Sequence, residues 1–348
     1  MGELKPYLAM FLIQLIYSGL TLFSKAAFNE GINVHVFVFY RQLTGAVILV
    51  PLALILERYI AVPFSFIIFC KIFMFSFFGL TLTLNMQAVG LVYTSATLAA
   101  AFNNTLPAST FFFAVLLRME RVNIRTISGI TKIGSVLLCM VGVATLAFYK
   151  GPQLGTVHHR LSGSHNHNSQ QHEDHFSSRT RWILGSFLLF LAMIMWSFWL
   201  IIQAQFLKSY PSKLMFTSVQ CLSSSIQSFG VAIAFERDIQ QWKLGWNIEL
   251  LAVVYCGTLV TAVAYYMQAW VIEKKGPVFI AIWNPLSFVI ATTGSILLLG
   301  EPLHLGSVLG GILLVSSLYS VLWAKSKEGM THQNSLPFQT HTETTQAV

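Results

Sequence analysis

Two cations stand inside long apolar runs of the sequence. Lys25 lies near the end of the run 6–28, and Arg41 lies about two helical turns into the next, roughly 10 Å deep. An ionisable group at membrane depth is costly to hold and marks a functional site by default. No Asp or Glu stands in the middle of any apolar run. A guanidinium without a protein partner fits a carboxylate, which it binds with two parallel hydrogen bonds. Each cation has a second reading. Lys25 can snorkel to the interface, and Arg41 can bond helix-end carbonyls.

Uncharged polar groups extend the candidate set. Asn104 is followed by Pro107, and Asn284 by Pro285. Proline frees a backbone carbonyl one turn earlier, and a neighbouring amide can bond it or a ligand. Gln87 and Gln268 sit in matching Met-Gln-Ala triplets. Tyr17, Tyr40 and Trp283 carry rings able to line a cavity or to pack against lipid. The expected binding set is therefore Tyr17, Lys25, Tyr40, Arg41, Gln87, Asn104, Pro107, Gln268, Trp283, Asn284 and Pro285. Its chemistry is recognition rather than covalent catalysis. No Walker A, His-Glu-x-x-His, Gly-x-Ser-x-Gly or Cys-x-x-Cys motif occurs, so no enzyme, cofactor or metal is expected.

The elements that hold these residues are apolar helices. The 348 residues are 55% hydrophobic and 10% charged, against about 25% charged in a soluble domain. Ten stretches reach the ~20 apolar residues that cross a bilayer. They are 6–28, 34–56, 66–89, 94–117, 127–148, 182–206, 214–235, 248–272, 277–299 and 303–324. The first lacks the flanks of a signal peptide and reads as a retained span. The four cysteines lie in apolar runs and read as small buried hydrophobes. The net charge of +8 sits at the ends of these runs, which argues for a membrane and against nucleic acid. With the N-terminus inside, 13 of the 21 Lys and Arg fall in inward loops, which places both termini in the cytoplasm.

The halves repeat weakly. Glu57 matches Glu236 at a spacing of 179, Met86-Gln87-Ala88 matches Met267-Gln268-Ala269 at 181, and Asn104 matches Asn284 at 180. Glu120 and Gly129 match Glu301 and Gly310 at 181. A five-span unit is odd in number, so its second copy enters the membrane inverted, as in many secondary transporters. The expected fold is an all-α membrane protein of ten transmembrane helices in two inverted five-helix repeats. Its units are a first repeat over 1–149, a polar His-rich linker over 150–181, a second repeat over 182–325 and a disordered cytoplasmic tail over 326–348. Six of the ten histidines fall in the linker, which reads as solvated and disordered.

Several motifs then resemble a known family. They are Lys5-Pro-Tyr-Leu-Ala-Met10, Ser24-Lys-Ala-Ala-Phe28, Tyr40-Arg41, Tyr93-Thr-Ser-Ala-Thr97, Tyr149-Lys-Gly-Pro152, Gly276-Pro-Val-Phe279, Asn284-Pro-Leu286 and Trp323-x-Lys-Ser-Lys327. Together with Asn104-x-Leu-Pro107, they resemble the plant nodulin-type, EamA-domain transporters. These are the Walls-Are-Thin-related or "usually multiple acids move in and out" proteins of the drug/metabolite transporter superfamily. The resemblance implies two EamA units around a central pocket. It implies transport of amino acids or auxin-like acids at the plasma membrane or the vacuolar membrane. A non-transporting receptor or scaffold is the alternative, and the five-plus-five repeat disfavours it.

Overall fold

The computed structural model describes residues 4–57, 66–119, 126–149, 151–155, 174–209, 212–299 and 303–334. Helix α1 (Lys5–Glu30) has proline in its first turn and ends at Gly31, whose φ of 108° is open to glycine. Helix α2 (Val34–Leu56) starts at Asn33, whose side chain accepts from the N–H groups of His35 and Val36. Helix α3 (Phe66–Tyr93) carries a π-helical segment at Phe77–Leu82. Helices α4 (Ala96–Asn103) and α5 (Leu106–Leu116) follow, then α6 (Ile127–Phe148).

The second half repeats this order. Helix α7 (Asp174–Ser209) leads to α8 (Lys213–Phe235), capped by Ser212 as Asn33 caps α2. Helix α9 (Ile248–Lys275) carries a π segment at Cys256–Ala264, and α10 (Pro277–Ile282), α11 (Asn284–Gly294) and α12 (Leu305–Asn334) complete the chain. Strands β1 (Gln153–Gly155) and β2 (Leu303–His304) pair antiparallel and tie the segment after α6 to the start of α12.

Six helices are long and apolar enough to cross a membrane on those grounds alone: Lys5–Glu30, Val34–Leu56, Phe66–Tyr93, Thr180–Lys208, Ile248–Lys275 and Pro277–Leu298. Helix α8 has 23 residues but buries a polar seam of serines and Gln220. Shorter apolar helices run over Gly129–Thr145 and Leu305–Ser317. The expected stretch 94–117 is two helices with Asn104 and Thr105 in the turn between them. Helix α7 starts at Asp174, inside the expected linker, and α12 runs on to Asn334, inside the expected tail. Glu120, Glu301 and the linker histidines 158–172 lie outside the described residues.

Contacts between the halves run in matched sets. Helix α2 packs on α8 and α6 on α12, while the second half of α3 packs on α7 and α1 packs on α9 and α11. Large apolar side chains face outward all round, including Leu8, Ile55, Phe78, Phe112, Leu137, Phe229 and Leu298. In water such a surface would aggregate, whereas in lipid it is solvated. The chain is an integral, multi-pass membrane protein.

Candidate functional site

Nine helices, α1–α5, α7 and α9–α11, contribute to a central cavity of about 50 Å³. Its wall is made of Gln14, Tyr17, Leu20, Thr21, Arg41, Leu84, Gln87, Asn103, Leu106, Met193, Trp196, Tyr265, Gln268, Ile280, Asn284 and Ser287. Twelve of these residues pair by position. Gln14 and Met193, and Tyr17 and Trp196, are 179 apart. Leu84 and Tyr265, Gln87 and Gln268, Asn103 and Asn284, and Leu106 and Ser287 are 181 apart. Corresponding residues of the two halves thus line the same cavity.

Arg41 supplies its charge. The side chain is 4% exposed. Its Nε donates to Thr261 Oγ1 at 3.3 Å, and a terminal nitrogen donates to Tyr265 Oη at 3.1 Å. The guanidinium carbon also lies 6.0 Å from the centre of the Tyr265 ring. Among the described residues no carboxylate pairs with it. A buried charge held by two hydroxyls alone retains unused hydrogen-bonding capacity, because guanidinium has five N–H donors.

Amides supply the remaining polarity. Tyr17 Oη donates to Gln268 Oε1 at 2.7 Å, and Asn284 Nδ2 donates to the carbonyl of Asn103 at 2.8 Å. Both side-chain polar atoms of Gln14, and Nε2 of Gln268, are buried without a protein partner. Buried amides left unmade are expensive, so their position on a cavity wall suits a polar ligand or water. Two serine contacts brace the site. Ser18 Oγ donates to the Ser287 carbonyl at 3.1 Å, joining α1 to α11, and Ser109 contacts Ser197, joining α5 to α7.

The structure brings Tyr17, Arg41, Gln87, Gln268 and Asn284 of the expected set together on this wall. The other six stand elsewhere. Lys25 Nζ donates to the carbonyls of Leu91 and Thr94 at 2.9 and 2.5 Å. Tyr40 Oη donates to the Trp242 carbonyl at 2.9 Å. Asn104 turns back on its own helix, with Nδ2 on the Ala100 carbonyl at 2.9 Å. Pro107 and Pro285 sit in the first turns of α5 and α11, where they position those helices. Trp283 packs on Phe279 and Tyr7. The sequence reading missed Gln14, Thr21, Asn103, Met193, Trp196, Tyr265 and Ser287 as a set. Applying the two constant spacings to the expected set would have found two of the seven, Trp196 from Tyr17 and Asn103 from Asn284.

Known proteins share this plan. The sequence profile of the EamA-like transporter family matches residues 4–147 and again 183–323. A WAT1-related protein of Arabidopsis thaliana is 51% identical over 94% of this chain and 92% of its own length. A second WAT1-related protein of that plant is 40% identical over 94% of this chain and 93% of its own. The Arabidopsis thaliana protein WALLS ARE THIN 1 is 34% identical over 94% of this chain and 84% of its own. One solved crystal structure superimposes with a TM-score of 0.64, covering 93% of this chain and 99% of that one, and at 16% identity it shares the fold alone. With the profile met in both halves and relatives matched along nearly their whole length, the chain belongs to the EamA-like transporter family, as a plant WAT1-related member.

Proposed function

We propose that the chain is a secondary transporter or facilitator of small organic acids, amino acids or auxin-like acids, working by alternating access. In this reading ten spans form two inverted five-helix repeats over 1–149 and 182–325. Both termini face the cytoplasm, and the membrane is the plasma or vacuolar membrane. Substrate binds in the central cavity, where the halves face each other near the midplane. The observation that carries the reading is Arg41, buried on the cavity wall with no carboxylate among its described partners. The unpartnered amides of Gln14 and Gln268 lie on the same wall and give an acid further hydrogen bonds.

Purified protein in liposomes tests it, using a labelled amino-acid mixture and indole acetic acid. Uptake of one of these acids above that of empty liposomes is expected. In Arg41→Gln the apparent KM should rise about tenfold or more, the size of one lost charge-assisted hydrogen bond. Arg41→Lys should retain part of the affinity. Normal KM in Arg41→Gln would remove the site from the proposal, and no uptake of any acid would favour the receptor or scaffold reading.

A further inference from the structure

Lys25 does not face the central cavity, yet it is a cation inside the helical bundle. Its ammonium reaches the carbonyls of Leu91 and Thr94, at the last turn and C-cap of the α-helical stretch Thr83–Tyr93. Helix-end carbonyls are orphan acceptors at the negative end of the helix dipole. A cation is therefore well placed to cap them, and in doing so it pins α1 to the junction between α3 and α4. Behind this crossing the space is a cavity of about 30 Å³.

The repeat provides a comparison within one molecule. At the spacing of 179 that relates α1 to α7, the residue corresponding to Lys25 is Ala204. At the spacing of 181 that relates α3 to α9, Leu91 corresponds to Ile272. The carbonyl of Ile272 is already taken by the N–H of Gly276 at 2.9 Å, through a glycine with φ of 84°. The crossing at the opposite end of the bundle has alanine in place of Lys25, and the carbonyl matching that of Leu91 is taken, while Lys208 and Lys275 stand at its cavity. It holds a cavity of about 360 Å³, lined by Ala204, Ile272 and Gly276 among others.

We infer that Lys25 is a gate bolt, a positioning residue that holds α1 against the end of α3 and closes the bundle on the side proposed to face outward. The inference rests on the transporter reading. It assigns Lys25 to the conformational cycle rather than to the substrate. The two ends of the cycle are then latched differently, the Lys25 crossing by an ammonium on helix-end carbonyls and the opposite end by the Lys213–Glu273 ion pair.

The test needs no substrate, so it can fail independently of the transporter reading. A cysteine is placed at Ala99, which lines the small cavity behind the bolt. Its labelling by a membrane-impermeant thiol reagent is timed in vesicles of both orientations. Lys25→Met should speed labelling about tenfold or more, because the ratio of open to latched protein rises by that factor. Lys25→Arg should restore slow labelling, and Lys25→Gln, which keeps N–H donors without charge, should lie between. Should Lys25→Met fail to fold, Lys25→Gln carries the same comparison. The side from which labelling accelerates reads the orientation separately. An unchanged labelling rate in a folded Lys25→Met or Lys25→Gln protein overturns the bolt, as does loss of substrate binding with labelling unchanged.

Discussion

Asn103 and Asn104 are adjacent, and only the first lines the cavity. Asn104 is fully buried, bonds the Ala100 carbonyl and receives the Cys139 thiol on its own carbonyl at 2.9 Å. It braces the turn between α4 and α5. Asn104→Ala should therefore cost about 1 kcal/mol of stability, the scale of one buried hydrogen bond, while leaving the KM of surviving protein unchanged. Asn103→Ala should instead alter KM with little change in melting temperature, and Asn284→Ala should do both, because it also loses the hydrogen bond to the Asn103 carbonyl. Parallel uptake and thermal-melt measurements on the three variants check this, and a KM effect confined to Asn104→Ala would reverse the assignment. The sequence pointed at Asn104 for a physical reason. Spacing between the halves is 179 before the start of α3 and 181 after it, so a mean spacing of 180 selects the neighbour. Arg41 was legible because a lone cation in an apolar run is rare. Tyr265 and Thr261, which hold it, were not distinctive, since hydroxyls are common in membrane helices and their partners depend on packing.

At the scale of elements, the helices follow from apolar run length, but their internal breaks do not. The π segments Phe77–Leu82 and Cys256–Ala264 occupy corresponding places in α3 and α9. A π turn rotates the residues on either side of it and is enriched at functional sites. Nothing in apolar composition distinguishes a π turn from an α turn, so these segments were not legible. A glycine within the second segment and one facing it on α2 show what the packing demands. A Cβ on Gly257 would lie 2.4 Å from Thr44 Cβ and 3.1 Å from the Arg41 carbonyl, and one on Gly45 would lie 2.3 Å from Thr261 Cγ2. Helices α2 and α9 thus approach through glycine on both sides, which places Thr261 within reach of Arg41. Gly257→Ala should force them apart and cost about 1–3 kcal/mol. Gly230→Ala, where a Cβ meets nothing within 4 Å, should be neutral or slightly stabilising. Thermal melts in one detergent compare the two, and equal melting temperatures would show that the α2–α9 approach tolerates a methyl group.

The whole molecule is held together across its halves, and its charges are sorted by end. Glu57 Oε2 receives the Met215 N–H at 2.9 Å and contacts Ser212, capping α8. Glu236 Oε2 receives Asn33 Nδ2 at 2.7 Å, next to the start of α2. Each half therefore uses the same glutamate, 179 residues apart, at the head of the other half's second helix. This explains a repeat signal that the sequence displayed without a reason. The first of these contacts lies at the end where Lys213 pairs with Glu273 at 2.6 Å and Lys275 stands 6.0 Å from the Tyr7 ring. That end also carries Lys5, Lys208 and Lys274, while the end with Glu236 carries Glu30, Asp238 and Glu249 beside Arg237 and Lys243. Lys and Arg in short loops set orientation, and acidic residues contribute little. The basic end, which holds the cavity of about 360 Å³, should therefore face the cytoplasm, and residues 151–181 should lie on the far side. Protease added to sealed right-side-out vesicles should cut within 151–181 and spare both termini, as read with tags at each end. Cleavage of a terminal tag with the 151–181 segment protected would invert the orientation and put the Lys25 crossing on the cytoplasmic side. It would leave the paired lining of the cavity untouched, since that pairing depends on the contacts between the halves and not on the membrane's polarity.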